Sequence, residues 1–281
     1  RLDTRGARPA SCSHGNAGIM SIEAWARSAF GAHYSRLYRH RDDDEARRAV
    51  ALVDRIAGLD GARVLDLGCG AGRHLGPLAG SGACVVGMDQ SPELLSEAHD
   101  EVPEAAGSTL VRGDWGRLPF AANAFDVVVS LFTAFGYGEH PGAQQSMIAE
   151  IARTLAPGGH WILDYLNPRR VRSELAKIPP PRLRVLEGLV MSEQRRLSPD
   201  GRRVTKAVTI TPDGPSPVQG IPAAGLSYEE SVALIDLDEL DELAATADLF
   251  RSAAAGDYDG AAFDPDTSVR WFLVFRKEVT A

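Results

Sequence analysis

The sequence predicts an α/β fold with a mostly parallel sheet and helices on both of its faces. Three observations carry this. Short apolar runs alternate with helix-periodic segments from about residue 43 to residue 164. A glycine-rich turn, Gly68-Cys-Gly70-Ala-Gly72, directly follows the first apolar run. The alternation then stops near Asn167, and the chain turns basic and rich in β-branched residues.

In the first helical segment, residues 43–58, Ala46, Val50, Val53 and Ile56 recur at helical spacing and Gly58 can end the helix. Arg63-Val-Leu-Asp-Leu67 reads as a buried strand, residues 73–80 as a helix, and Cys84-Val-Val-Gly-Met88 as a second strand closed by Asp89. Ser91-Pro92-Glu93 is an N-cap, a proline at the first helical position and an early acid. Thr109–Arg112 and Phe125–Leu131 are the next strands. Residues 142–155 form an amphipathic helix stopped by Pro157-Gly-Gly159, and Trp161–Asp164 is a fifth strand. In such sheets, ligands bind outside the carboxyl ends of the strands.

After Asn167, residues 169–206 hold nine Arg and two Lys against four acids, a local charge of +7. Ser198-Pro-Asp-Gly201 is a turn signal, with extended stretches at Val204–Ile210 and Leu226–Leu234. This reads as an antiparallel β insertion over 169–235, a lid on the main sheet. Leu237–Ala247 reads as an acidic helix and Ser268–Phe275 as a last strand returning to the sheet. The organisation expected is a tail at 1–19, a helical cap at 20–60, a core at 61–168, the insertion at 169–235 and a completing segment at 236–281. Residues 1–19 lack the apolar stretch of a signal peptide and read as a disordered tail or expression remnant, with Met20 the native start.

Composition narrows the function. The chain has 281 residues, 44% apolar and 24% charged, ordinary for a globular protein with a sizeable core. A net charge of −8 disfavours nucleic acid as a partner of the whole surface. No apolar run approaches the roughly 18 residues of a membrane span. Three cysteines, Cys12, Cys69 and Cys84, do not make a disulfide framework and point to the cytoplasm. A glycine turn between strand and helix lets a ligand touch backbone N–H groups at a helix start. The spacing departs from the dinucleotide pattern, since Arg73 stands where its third glycine belongs. Asp89, at the end of the second strand, can accept both hydroxyls of a ribose and would repel a 2′-phosphate.

Val64-Leu-Asp-Leu-Gly-Cys-Gly-Ala-Gly72 resembles the first motif of class I S-adenosylmethionine-dependent methyltransferases. Val86-Gly-Met-Asp89-Gln-Ser-Pro resembles their second motif, and Arg112-Gly-Asp114-Trp115 with Leu118-Pro-Phe120 their third. Phe125-Asp126-Val-Val and Leu155-Ala-Pro-Gly-Gly159 resemble the fourth strand and the turn before the fifth. Tyr34-x-x-x-Tyr38-x-His40-Arg41, Gly72-Arg73-His74, Leu131–Tyr137 and Gly256–Gly260 are similar to a bacterial small-molecule group within that superfamily.

The resemblance implies a Rossmann-like, mostly parallel seven-stranded sheet, S-adenosylmethionine as cofactor and no metal. It implies that Gly68, Gly70 and Gly72 wrap the methionine part and that Asp89, with Gln90 beside it, holds the ribose. Asp114 and Trp115 would meet the adenine, and the backbone of Leu131 would face the amino end. Tyr38, His40 and Arg41 would close over the cofactor, Arg41 suiting its carboxylate. Tyr34, Phe132, Phe135 and Asn167 are candidates for acceptor binding, and His140, Tyr137 and Tyr165, with His33, for a general base. Plainer roles compete. Cys69 reads as structural, Asp126 as a brace, Asp66 as bonded to backbone near the loop, His74 as packing, and the two Phe as core.

The expected activity is methyl transfer to a small-molecule acceptor by a monomer or homodimer, driven by positioning and independent of metal. The alternatives are an RNA or nucleotide methyltransferase using the basic segment, and a non-catalytic cofactor-binding protein.

Overall fold

The computed structural model describes residues 43–101, 108–138, 142–177, 179–186, 188–214 and 221–279. Its helices are α1 (Asp43–Ala57), α2 (Leu75–Gly80), α3 (Pro92–Glu101), α4 (Ala143–Thr154), α5 (Pro168–Leu175) and α6 (Leu237–Ala245). Its strands are β1 (Arg63–Leu67), β2 (Cys84–Asp89), β3 (Thr109–Arg112), β4 (Phe125–Ser130), β5 (Leu155–Leu166), β6 (Arg182–Leu186), β7 (Leu189–Leu197), β8 (Arg203–Pro212), β9 (Leu226–Ala233), β10 (Leu249–Ala255) and β11 (Arg270–Lys277).

Seven strands form the main sheet in the order β10-β11-β5-β4-β1-β2-β3. The pairs β1·β2, β2·β3, β1·β4 and β4·β5 are parallel. β11 runs antiparallel between β5 and β10. The order reverses at β1, with β2 on one side and β4 on the other, so the crevice for a ligand opens at the carboxyl ends of β1 and β4.

Both faces of this sheet are covered, which is why its strands read as continuous apolar runs. Leu65, Val128, Trp161, Leu163, Trp271 and Phe275 pack on one face with Ile148 and Ile151 of α4 and Leu240 of α6. Val64, Val127, Val129, Ile162 and Val274 pack on the other with Val50 and Val53 of α1 and Leu75 and Leu78 of α2. Trp161 stacks on Phe275 at 5.0 Å. The sequence leads to a helix and strands over 236–281 but places only the last strand: Leu249-Phe-Arg-Ser-Ala-Ala-Ala255 has no β-branched residue, and pairing with β11 makes it extended.

The segment after β5 opens as a helix rather than as β structure. Asn167 caps α5: its Oδ1 accepts from the N–H groups of Arg169 at 3.0 Å and Arg170 at 3.2 Å, and Pro168 takes the first turn. Its Nδ2 donates to the Ser268 carbonyl at 2.8 Å, tying α5 to the entrance of β11. Asn167 is buried with each polar group engaged, so it is a cap rather than an acceptor-binding residue.

The antiparallel insertion follows as a sheet in the order β6-β7-β8-β9. The expected turn closes β7 on β8, with the Ser198 N–H bonded to the Arg203 carbonyl at 2.9 Å. β9 seats the small sheet on the loop after β4. The Ala233 N–H donates to the Gly136 carbonyl at 2.9 Å. Gly136 has φ +104, and a Cβ there would lie 2.9 Å from Val232 Cγ1, so the contact requires glycine. Among the described residues no helix is long and apolar enough to cross a membrane.

Asn167→Ala removes the cap and the strap to Ser268. Urea unfolding of this variant is expected to show a loss of about 1–2 kcal/mol at unchanged m-value. An unchanged midpoint would mean that α5 is held by packing alone.

Candidate active site

The turn after β1 is fastened to the end of β2. The N–H groups of Gly68 and Cys69 both donate to the Met88 carbonyl, at 2.7 and 3.1 Å. Gly68, Gly70 and Gly72 all take positive φ. Gly68 is also obligatory by space: a Cβ would stand 2.6 Å from Trp115 Cζ2 and 2.7 Å from Ala134 Cβ. Trp115 is therefore buried against the loop and Ala134, where the sequence suggested a ring laid beside the adenine.

Asp89 closes β2 and holds the loop from the other side. Its Oδ2 accepts from the Gly70 N–H and its Oδ1 from the Ser91 N–H, each at 2.9 Å. Burial pushes its pKa up while these bonds pull it down. Each carboxylate oxygen keeps a lone pair for a further donor. Gln90, which follows, gives its carbonyl to Arg112 Nε at 3.2 Å. Asp114 lies in an exposed turn beyond β3, accepting from the Gly116 N–H at 2.8 Å. Cys69 is buried, its thiol directed at the Gly70 carbonyl at 3.8 Å, and burial raises its pKa, so it is inert as expected. Asp126 braces the start of β1 by accepting from the Arg63 N–H at 2.9 Å and Nη2 at 2.8 Å.

Across the crevice, the chain leaves β4 through an unusual turn. Phe132 (φ 56) and Thr133 (φ 62) are consecutive non-glycine residues in the left-handed region. Asp164, fully buried at the end of β5, holds them there. Its Oδ2 accepts from the Phe132 N–H at 2.7 Å and the Tyr258 hydroxyl at 2.5 Å, and its backbone carbonyl from the Thr133 N–H at 3.0 Å. Arg270 of β11 pairs with Asp164 Oδ1 and donates to Thr133 Oγ1 at 2.6 Å. Burial and the charge of Asp164 both raise the Tyr258 pKa, so its hydroxyl remains a donor. Thr133 and Tyr258 lie in stretches that the sequence singles out, Leu131–Tyr137 and Gly256–Gly260, but it gives neither a role. Asp164 shows there only as an acid inside an apolar strand, and its partners Tyr258 and Arg270 lie 94 and 106 residues away.

A third group surrounds the glycine turn. Asp66, on β1, is buried and its Oδ2 has no hydrogen-bond partner, contrary to the expected bond to backbone. Burial, reinforced by the charge of Asp89 and opposed by Arg73, pushes its pKa up to about 7. His74 Nδ1 lies 4.0 Å from Asp66 Oδ2, but burial pushes the imidazole down to about 3, so the two are neighbours rather than an ion pair. Arg73 reaches back to Glu45 of α1 at 3.0 Å and lies over the Phe132 ring at 4.3 Å. Its Nη2 is buried without a hydrogen-bond partner. Arg270 also approaches the Phe132 ring, at 5.1 Å.

The remaining candidates separate clearly. Leu131 is buried at the end of β4, and its carbonyl accepts from the Ala134 N–H at 3.3 Å. Phe135 is fully buried against Trp161 and Tyr165 and belongs to the core, not to an acceptor surface. Tyr165 is likewise fully buried. Its hydroxyl donates to the Ala233 carbonyl and accepts from the Ile235 N–H at 3.4 Å, and burial raises its pKa, so it is a structural strut and not a base. Tyr137 is half-buried in the loop after β4. Tyr34, Tyr38, His33, His40, Arg41 and His140 lie outside the described residues. Among the described residues, no group of three or more His, Cys, Asp or Glu is arranged to hold a metal ion.

Tyr165→Phe leaves the Ala233 carbonyl unmet in the core and is expected to cost about 1–3 kcal/mol in thermal or urea unfolding, without changing cofactor affinity. A changed affinity at unchanged stability would restore Tyr165 to the site. Asp66 makes a pH-dependent prediction. Its folded pKa exceeds the unfolded value of about 3.9, so the folded state binds the extra proton and this group's contribution to stability falls as pH rises from about 4 to about 7. The melting temperature of Asp66→Asn relative to the unsubstituted protein is thus expected to be higher at pH 8 than at pH 5. An equal difference at both would refute the assignment.

Comparisons with known proteins agree with this geometry. Residues 64–159 match a family model described as a methyltransferase domain. An uncharacterised methyltransferase of Synechocystis is 42% identical over 112 residues, 40% of this chain and 50% of that protein. The phthiotriol/phenolphthiotriol dimycocerosates methyltransferase of Mycobacterium leprae is 30% identical over 179 residues, 54% of this chain and 61% of that one. The chain thus spans between half and two thirds of the length of these relatives. The CcbJ methyltransferase of Streptomyces caelestis shares the fold across 90% of this chain and 99% of its own, with TM-score 0.73 and 20% identity. With the β1 glycine turn, the acid closing β2 and the seven-stranded order in place, residues 64–159 are similar to a methyltransferase domain, and the chain shares its fold with a solved methyltransferase.

Proposed function

We propose that the protein transfers a methyl group from S-adenosylmethionine to a small-molecule acceptor. One observation carries the reading. Two buried polar atoms beside the glycine turn have no partner: an acceptor, Asp66 Oδ2, and a donor, Arg73 Nη2. The methionine end of the cofactor is a zwitterion, whose ammonium and carboxylate are complementary to that pair. The residues present therefore fit the group.

In this reading Gly68, Gly70 and Gly72 leave the turn open to the methionine part, and Asp89 receives the ribose hydroxyls. Asp114 meets the adenine, with Trp115 supporting the turn from beneath. Arg73 takes the carboxylate, the role that the sequence alone suggested for Arg41. When bound, the cofactor supplies a methyl group on a cationic sulfur, already a good leaving group. The protein's part is to hold an acceptor lone pair in line and keep water out, an arrangement worth roughly 7–11 kcal/mol in favourable cases. Tyr137 and His140 are the base candidates for an acceptor that starts protonated.

The M. leprae relative is named for phthiotriol and phenolphthiotriol dimycocerosates rather than for RNA or protein, which supports an acceptor that is not a macromolecule here. The RNA reading rested on the basic 169–206 segment. Six of its eleven cations are committed to acids: Arg169 to Asp266, Arg170 to Glu174, Arg172 to Asp236, Arg196 to Glu229, Arg202 to Glu239 and Lys206 to Glu230. That pattern is a set of sheet and helix faces rather than a phosphate-binding stripe.

Calorimetry tests the cofactor. S-adenosylmethionine is expected to bind and NAD not to, and Asp89→Ala is expected to weaken binding at least tenfold. Binding of NAD alone would overturn the reading. Arg73→Met is expected to weaken S-adenosylhomocysteine about tenfold to a hundredfold, the scale of a charged hydrogen bond, while leaving methylthioadenosine unchanged because it lacks the amino-acid end. Equal losses for both nucleosides would remove Arg73 from the carboxylate.

A further inference from the structure

The small sheet carries a polar band on a face where a core would need none. Its register sets Glu193 opposite Val208, Val208 opposite Tyr228, Lys206 opposite Glu230 and Val204 opposite Val232. Glu193, Lys206, Glu230 and Tyr228 therefore share one face with Met191 and Ile210 at one end and Val204 and Val232 at the other. That face is the one turned to the loop after β4, since Val232 is the side chain that would touch a Cβ at Gly136. The opposite face carries ordinary exposed polar residues such as Arg196, Thr209 and Glu229.

Both glutamates are only 7% exposed. Lys206 Nζ pairs with Glu230 Oε2 at 2.8 Å. Glu230 Oε1 is buried without a hydrogen-bond partner. Removing a carboxylate oxygen from water with no donor to meet it is costly. Apolar residues at this rung would join the clusters on either side at lower cost. Glu230 stands two residues from Val232, about 7 Å along the strand from the loop beside the cofactor turn.

We propose that this band is where the acceptor is recognised, and that Glu230 Oε1 receives an N–H or O–H donor of the molecule to be methylated. The assignment rests on the methyltransferase reading and specifies its substrate class: a small amine or alcohol, anchored by a hydrogen bond to a carboxylate that Lys206 holds in place. On β6, Arg182 stands opposite Glu193 and Arg184 opposite Met191, on the same face.

Glu230→Gln in the full chain tests this. Lys206 retains the amide oxygen, so the NH₂ lies where Oε1 stood, and a ligand donor then faces a donor. S-adenosylhomocysteine titration is expected to give the unsubstituted Kd; failure of both proteins to bind would sink the cofactor reading by itself. Thermal melts are expected to show an equal or higher Tm, because an unmet charge has gone. A fall of about 4 °C or more, or failure to fold, would make Glu230 structural and overturn the proposal. S-adenosylhomocysteine formation is then followed over a panel of primary amines, alcohols and thiols. At least a tenfold loss on the amines or alcohols is expected, and which of the two is lost identifies the donor. Unchanged turnover, or turnover by the unsubstituted protein confined to thiols, would overturn the proposal. If no panel member is methylated, the melts alone decide.

Discussion

Asp164 is removed from water completely, and its charge is met by donors from three distant parts of the chain. The Phe132 N–H comes from the exit of β4, the Tyr258 hydroxyl from the loop after β10, and the Arg270 guanidinium from β11. A carboxylate buried without such partners would be strongly destabilising. The three segments are therefore bound to one another through it. The cost of two successive left-handed residues, on the order of 1–3 kcal/mol each, is offset by these bonds. The loop that faces the glycine turn thereby acquires one shape. Arg270 also bonds Thr133 and approaches the Phe132 ring, so β11, the antiparallel strand of the main sheet, sets the geometry of the parallel strands' carboxyl end.

The same logic of satisfied and unsatisfied buried groups divides structural from functional residues. Tyr165, Asn167, Asp126 and Asp164 are polar residues whose capacity is used within the fold. Asp66 Oδ2, Arg73 Nη2 and Glu230 Oε1 are buried atoms whose capacity is not. The first two flank the turn after β1, and the third lies on the small sheet's inner face. Natural cores rarely leave such groups unmet, so the pair flanking the turn after β1 is a sign of ligand chemistry rather than of packing.

The small sheet depends on the large one. Val204, Val232 and Ala233 join the main core, while Leu189, Met191, Val208 and Ile210 form a separate cluster at the other end. Between them lies the polar band. Six of the eleven cations of the basic segment are paired with acids. Arg172, for example, bonds Asp236 at 2.7 Å and the Leu234 carbonyl at 2.8 Å and so ties α5 to the chain beyond β9.

Local chemistry determined much of this protein from the sequence. Apolar runs of strand length, helical periodicity, Gly68–Gly72 and the acid at Asp89 specify elements and a cofactor turn, because each depends on neighbours within a few residues. Tertiary structure decided what depends on partners far along the chain. It made β10 a strand by pairing it with β11, turned Phe135 and Tyr165 into core, and turned Asn167 into a cap. It also assembled Asp164, Tyr258 and Arg270 around a turn that none of them adjoins. A residue's type shows what it can bond; only the fold shows whether that capacity is spent inside the protein or left for a ligand.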